Sequence, residues 1–378
     1  MNEAREVLAA ISKYADEGRP MALATIVSVT GSTYRRPGAR LVIPQNAPAI
    51  GNLSGGCLEG EVEELAREVM ADGAAQFVSY DLNADDEAVW GWGLGCNGTI
   101  EVFVEPGDRA VSVAAALTRA IDDERRVAVV TVVDGHAIDV DIGSRVVVHA
   151  DDSADGAAGP ATDRLIRIGR AALAGGENGI VVVPVHGGVL RVFVEVIEPP
   201  LRLLVCGAGH DAIPMAAAGR SLGWRVVVAD ERPAFLTEAR FPGARLIETD
   251  PIAVAQFVDD RTWAIVMSHN YLRDRAYLRA LLGSPARYIG MLGPGARLER
   301  LLGDLRSDGV DVPAAVLGRV HGPAGLDLGA EEPEEIAASV VAEILALSRS
   351  RGGGHLKGRA GPIHDRGHAP GTLVEPTP

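Results

Sequence analysis

Cys57 stands directly after Gly55-Gly56 and directly before the acidic, helix-patterned run from Leu58 to Gly73. A sulfur there meets the positive end of a helix dipole and the first helical N–H groups, which have no acceptor within the helix, so the thiol is expected to ionise readily. Cys96 lies in a second glycine loop, Gly93-Leu94-Gly95-Cys96-Asn97-Gly98, whose small neighbours admit a bulky ligand. Neither C-x₂-C spacing nor a set of four ligands is present, which argues against structural zinc and for a soft-ligand role of these loop thiols. The third cysteine, Cys206, sits in the apolar run Leu203-Leu204-Val205 and reads as a small buried hydrophobe.

Arg35, Arg36 and Arg40 surround Pro37-Gly38 and suggest an anion site of guanidinium forks, to which Ser32 and Ser54 can add hydroxyl donors. Further along, a strand-like run enters Gly207-Ala208-Gly209-His210-Asp211-Ala212, a G-x-G-x-x-A sequence at a strand-to-helix turn. Gly207 permits the sharp turn, Gly209 lets a pyrophosphate approach the backbone, and Ala212 lets the helix pack closely on its strand. Asp230 ends the next strand, Trp224 to Asp230, where a carboxylate for ribose hydroxyls is expected. His210, His269 and His321 each follow a predicted strand, so all three are expected near one crevice, as contacts to an anionic ligand or as a metal site.

These residues need elements to hold them. Val7, Leu8, Ile11 and Tyr14 recur at helical spacing over Asn2 to Glu17, and Met21 to Val29 reads as a buried strand. Short strands are expected at Leu41 to Ile43, Phe77 to Asp81 and Thr99 to Glu105, with a helix from Leu58 ended by Gly73. A helix over 111–122, two strands within 126–148, a helix near 163–173 and strands near 180–196 make a middle segment. After Pro199-Pro200, strand and helix alternate up to a helix over 333–347, the rhythm of a doubly wound sheet, in which Ala314 to Val320 is expected to be a strand. The predicted fold is α/β throughout: an N-terminal α/β domain over 1–199 (core motifs 1–105, middle segment 106–199), a Rossmann-like, doubly wound parallel domain over 200–348, and a disordered tail over 349–378. Its His355, His364 and His368 read as solvated. No internal repeat is apparent.

The chain has 378 residues, a 47% hydrophobic content and a formal net charge of −15, a balance that repels phosphate backbones and anionic membrane surfaces. Neither nucleic acid nor membrane is an expected partner, and three scattered cysteines with no charged-then-apolar leader suggest a reducing cytoplasm.

The runs GSTYRRPGAR, GNLSGGCLEGEVEE and GWGLGCNGTIEVFVEP resemble, in that order, the xanthine dehydrogenase accessory factor family (XdhC/CoxI). Over the second half, LLVCGAGHDAIPMAAAGRSLGWRVVVADER, MSHNYLRD and RYIGMLG look like that family's Rossmann domain, so the likeness spans residues 1 to about 348. The resemblance implies a cytoplasmic chaperone, not necessarily catalytic, that binds molybdenum cofactor as molybdopterin or its dinucleotide form. It would protect the cofactor while a cysteine desulfurase installs the terminal sulfur, then deliver it to a molybdenum hydroxylase apoenzyme; a homodimer is the implied assembly. The family's two loop cysteines map onto Cys57, which becomes the candidate metal ligand, and Cys96; where many members carry cysteine-glycine-glycine, this chain has Cys96-Asn97-Gly98. Two other readings stand beside this one: an NAD(P)-dependent oxidoreductase with His269 as proton relay, and a nucleotide-sensing regulator.

Overall fold

The computed structural model describes residues 2–32, 34–56, 58–82, 97–175 and 178–358; Cys57, Cys96 and most of the expected tail lie outside the described residues. The chain divides into two compact units, one spanning Asn2–Pro199 and the other beginning at Pro200.

The first unit opens with α1 (Asn2–Asp16), β1 (Met21–Ser32), β2 (Arg40–Pro44), β3 (Ile50–Gly51), α2 (Glu59–Asp72), β4 (Gln76–Asp81) and β5 (Asn97–Pro106). It continues with α3 (Gly107–Asp122), β6 (Val127–His136), β7 (Arg145–His149), β8 (Ala154–Ala157), α4 (Thr162–Gly175), β9 (Gly179–Val185) and β10 (Gly188–Ile197). The strands pair in two antiparallel sheets of identical topology, β3-β2-β1-β5-β4 and β8-β7-β6-β10-β9. The second set of seven elements therefore repeats the first, and the reading that found no repeat is overturned. The match extends to irregularities. The β1/β5 register shifts at Val27 and the β6/β10 register at Val133, while Thr25 faces Arg40 and Phe103 as Thr131 faces Arg145 and Phe193. Gly38 and Gly143, both with positive φ, donate to Ile26 and Val132 at matched places. What survives in sequence is short, chiefly Val102-Phe103-Val104-Glu105 against Val192-Phe193-Val194-Glu195.

Both faces of each sheet are covered, which is why β1 and β6 show little apolar–polar alternation. Met21 and Leu23 join Val127 and Val129 in a shared layer with α1 and α3; Ala22, Ala24 and Ile26 face α2; Ala128, Val130 and Val132 face α4. The sheets touch at Val27, Phe103, Val133 and Phe193.

The second unit consists of β11 (Arg202–Cys206), α5 (Ala212–Ser221), β12 (Arg225–Asp230), β13 (Arg245–Glu248), β14 (Thr262–Val266), α6 (Tyr271–Leu282), β15 (Tyr288–Met291), α7 (Gly295–Ser307), α8 (Ala314–Leu317), β16 (Val320–His321) and α9 (Pro333–Ser348). The six strands are parallel in the order β13-β12-β11-β14-β15-β16, the doubly wound arrangement expected, with its switch point between β11 and β14. Leu203, Val205 and Ile265 face α5 and α9, whereas Leu204, Cys206 and Val266 face α6 and α7, so the strands are apolar on both sides. The strand predicted from Ala314 to Val320 is instead the short helix α8 followed by β16, because Pro313 at the N-cap starts a helical turn. Among the described residues no helix is long and apolar enough to cross a membrane.

Candidate functional site

The first candidate surface is the turn that leads into α2. Gly55 and Gly56 have φ of 90° and 114°, angles that favour glycine and expose the backbone of the turn. Their N–H groups, expected to be unpaired, are committed. The Glu59 carboxylate accepts from the N–H groups of Leu53 (3.1 Å), Ser54 (2.9 Å), Gly56 (2.9 Å) and Leu58 (3.2 Å) and from the Ser54 hydroxyl at 2.6 Å. The Asn52 side chain takes the Gly55 N–H. Burial pushes the Glu59 carboxyl up, yet the hydrogen bonds from Ser54 and the loop backbone outweigh it and bring it down to about 2. A first-turn acid thus folds back on the loop flanking position 57 and fills the anion nest itself. Glu59 lies only two residues beyond Cys57; its position in the first turn of the expected helix is the sequence signal that points to it.

Of the three arginines, Arg35 donates to the Asn52 carbonyl at 3.1 Å and pairs with Glu3, Arg36 is exposed, and the Tyr34 ring lies beside Gly55. Arg40 departs from expectation: its guanidinium is buried, 10% exposed, and paired with Glu195. Burial pulls its pKa down, but Glu195 outweighs that and raises it above the ordinary guanidinium value. The anion bound by Arg40 is therefore the protein's own carboxylate. The duplicated position, Arg145, holds Glu105 in the same way, so two reciprocal ion pairs join the two halves. Ser54 caps Leu58 through its hydroxyl; the side chain of Ser32 lies outside the described residues.

The second surface is the crevice at the carboxyl ends of β11 and β14. Gly207 has φ of 115°, and a Cβ there would stand 2.8 Å from the Met267 carbonyl oxygen, so a left-handed turn and a close approach both demand glycine. Gly209 faces the His269 ring, and His269 Nε2 lies 2.6 Å from the carboxylate of Asp211, the N-cap of α5. His269 itself is left-handed, φ 54°, a conformation that costs a non-glycine residue about 1–2 kcal/mol and is held here by the pair with Asp211. The following residues are fixed by Asn270, which caps α6, and by Asp274, which accepts from the Ser268 hydroxyl at 2.5 Å and from Arg297 at 2.7 Å. His210 is exposed on the glycine loop.

Asp230 is where the spacing predicts it, at the end of β12, but its carboxylate is buried and saturated. It accepts from the Ala208 N–H at 2.7 Å and three times from Arg232: the backbone N–H and Nε at 2.9 Å, and Nη2 at 2.8 Å. Desolvation raises its pKa, and Arg232 with the Ala208 N–H more than reverses that. A ribose hydroxyl reaches Asp230 only by displacing Arg232, whose guanidinium lies with that of Arg240 against the Phe235 ring. The backbone shape therefore fits a dinucleotide, while Asp211 places a carboxylate where a pyrophosphate would meet the helix.

His321 does not join His210 and His269. It is part of β16, two strands away from β14, with Nδ1 3.0 Å from Glu343 and its ring against Tyr288; Tyr288 also donates to Glu343. Among the described residues no group of three or more His, Cys, Asp or Glu side chains is arranged to hold a metal ion, so the three-histidine site is withdrawn. Cys206 is buried in the sheet as expected, and burial pushes its thiol well above the ordinary range.

Comparison with known proteins follows the same two units. The family description "XdhC Rossmann domain" matches residues 203–344, and "XdhC and CoxI family" matches residues 14–81. A Bacillus subtilis (strain 168) protein described as a probable xanthine dehydrogenase subunit is 33% identical over 346 residues, covering 85% of this chain and 92% of that one. The uncharacterized protein YqeB of Escherichia coli K12 is 33% identical over 184 residues, 48% of this chain and 33% of its own length. A crystal structure described as a xanthine dehydrogenase from Bacillus halodurans superposes with a TM-score of 0.71 at 27% identity, covering 92% of this chain and 96% of the other.

Proposed function

Because the chain belongs to the XdhC and CoxI family, we propose that it is an accessory factor that matures a xanthine dehydrogenase-type molybdenum hydroxylase. In this reading it holds molybdenum cofactor, as molybdopterin or its dinucleotide form, while a cysteine desulfurase installs the terminal sulfur in place of an oxygen, and passes it to the apoenzyme. The bound cofactor would supply the metal at which the sulfur is installed; the chain supplies grip, orientation and shelter. The observation that carries the reading is the exposed Gly55-Gly56 turn, whose shape is set by Glu59 and which is flanked by Tyr34 and Arg35. A turn already shaped over residues 52–56 carries no ordering cost of its own at the moment of binding. Arg36, exposed in the preceding loop, suits a cofactor phosphate, and Cys57 and Cys96 are the soft ligands in this proposal.

The test is metal and pterin analysis of protein purified from cells that make the cofactor. Wild type is expected to carry molybdenum and an oxidisable pterin, and C57S/C96S at least tenfold less with an unchanged circular dichroism spectrum. Equal molybdenum in both would sink the thiolate role.

The crevice supports a nucleotide-bearing ligand for the second unit: Gly207 and Gly209 open the backbone, and Arg232 and Arg240 offer guanidiniums beside Phe235. The pyrimidine or purine end of a pterin dinucleotide and NAD(P) share this chemistry. The Asp211–His269 pair is what favours the oxidoreductase alternative, since an oriented imidazole is the relay such a reaction needs.

A further inference from the structure

The internal duplication allows one half of the first unit to be read against the other. Matched positions follow from matched hydrogen bonds. The Arg19 N–H donates to the Tyr14 carbonyl at 2.9 Å as the Arg125 N–H donates to that of Ala120 at 2.8 Å. Strand register pairs Met21 with Pro44 and Val42 with Ile50, as it pairs Val127 with His149 and Val147 with Asp155. Tyr14, Pro44 and Ile50 thus correspond to Ala120, His149 and Asp155. In the first half, Tyr14 is buried in the core and Ile50 packs against it. In the second half the large side chain is an alanine and the two apolar neighbours are polar.

A cavity of about 390 Å³ occupies that place, lined by Arg119, Ala120, Arg125, Arg145, His149 and Asp155 and floored by Val127 and Val147. Its volume is that of a small-molecule site. His149 supplies an independent sign. Its Nε2 faces the Asp155 carboxylate at 2.9 Å, whereas its Nδ1 is buried with no hydrogen-bond partner among the described residues. Native interiors rarely leave such an atom unmatched. The buried Nε of Arg145 is also unpartnered, but so is that of Arg40, which belongs to the shared ion-pair arrangement of both halves; His149 has no counterpart of this kind.

We propose that this cavity binds a small organic anion with a compact apolar body. Two of the nearby acids are engaged, Glu105 by Arg145 and Asp155 by His149, and Asp123 lines the cavity with Arg119 and Arg125. A second proton on His149 lets Nδ1 donate to the ligand, and the cations Arg119, Arg125, Arg145 and His149 then outnumber Asp123, Asp155 and Glu105 by one, the balance a monoanion needs. This site shares no residue with the Gly55-Gly56 turn or with the crevice at Gly207, so its failure leaves the proposed function untouched.

Calorimetric titration of the full chain with 1-naphthoate, a two-ring carboxylate, tests it, with naphthalene-1-methanol as the neutral counterpart. Saturable one-to-one binding of naphthoate is expected, at least tenfold tighter than the alcohol. It should weaken at least tenfold in Ala120→Tyr, which restores the filler of the first half. Asp155→Ile, on an exposed edge strand, should weaken it similarly and serves if Ala120→Tyr does not fold. No saturable heat in wild type, equal affinity for the neutral alcohol, or undiminished binding in folded Ala120→Tyr or Asp155→Ile would overturn the site.

Discussion

Glu59 illustrates how one side chain decides the chemistry of a loop. Five groups donate to its two oxygens, so the positive-φ turn at Gly55-Gly56 keeps one shape in the absence of a ligand. Glu59→Gln keeps the size but removes the charge, and is expected to cost about 1–2 kcal/mol of stability at pH 7. The pH dependence has a definite sign. The folded carboxyl titrates near 2 against an ordinary 4.5, so its contribution is complete above 4.5 and is lost as pH falls toward 2. Urea unfolding of the two proteins at pH 7 and again near pH 2.5 measures this: the gap should narrow in acid, and a gap that persists or widens would refute the assignment. The same residue corrects a sequence-level idea. The N–H groups around position 57 form an anion nest, but that nest already holds a carboxylate.

At the scale of elements, β2 and β7 each begin with an arginine that reaches the last strand of the other half, Arg40 to Glu195 on β10 and Arg145 to Glu105 on β5. All four side chains are at least nine-tenths buried, so solvent screens them little. Burial pushes the Glu105 carboxyl up against the pull of Arg145, the signature of a pair whose desolvation is large. Arg145→Met strands a buried acid and should destabilise by about 3–5 kcal/mol, whereas Arg145→Met with Glu105→Leu should recover most of it. Chemical denaturation of the single and double variants, repeated with Arg40 and Glu195, checks both pairs. A single substitution costing less than about 1 kcal/mol would show that the pairs are incidental. The glycines at Gly51 and Gly156 carry the same message about the repeat: each has positive φ and would press a Cβ against the carbonyl of the arginine that starts the neighbouring strand.

At the scale of the whole molecule, each unit has its own sheets and its own apolar clusters, those of residues 200–358 lying on the two faces of one parallel sheet. A fragment of residues 200–358 should therefore fold alone, with a cooperative thermal transition and a dispersed amide NMR spectrum. A fragment that shows neither would mean that its core is incomplete. The family assignment spans both units, which ties the accessory role to a two-part chain.

Elements built from near neighbours were legible in the sequence. Periodic Val7, Leu8, Ile11 and Tyr14 mark α1, Gly73 ends α2 in the left-handed conformation, and the Gly207 turn with Asp230 marks the switch-point crevice, because each depends on contacts or backbone angles set within one or two elements. Partners distant in the chain were not legible. Whether Arg40 is free for a ligand, whether Asp230 is open to a ribose, and whether His321 meets His269 depend on which side chains folding brings within about 3 Å, and those choices fell to Glu195, Arg232 and Glu343. The duplication was hidden for a related reason: a fold needs apolar residues on the right faces and glycine at a few strained turns, so two halves can keep one architecture while almost every other residue diverges.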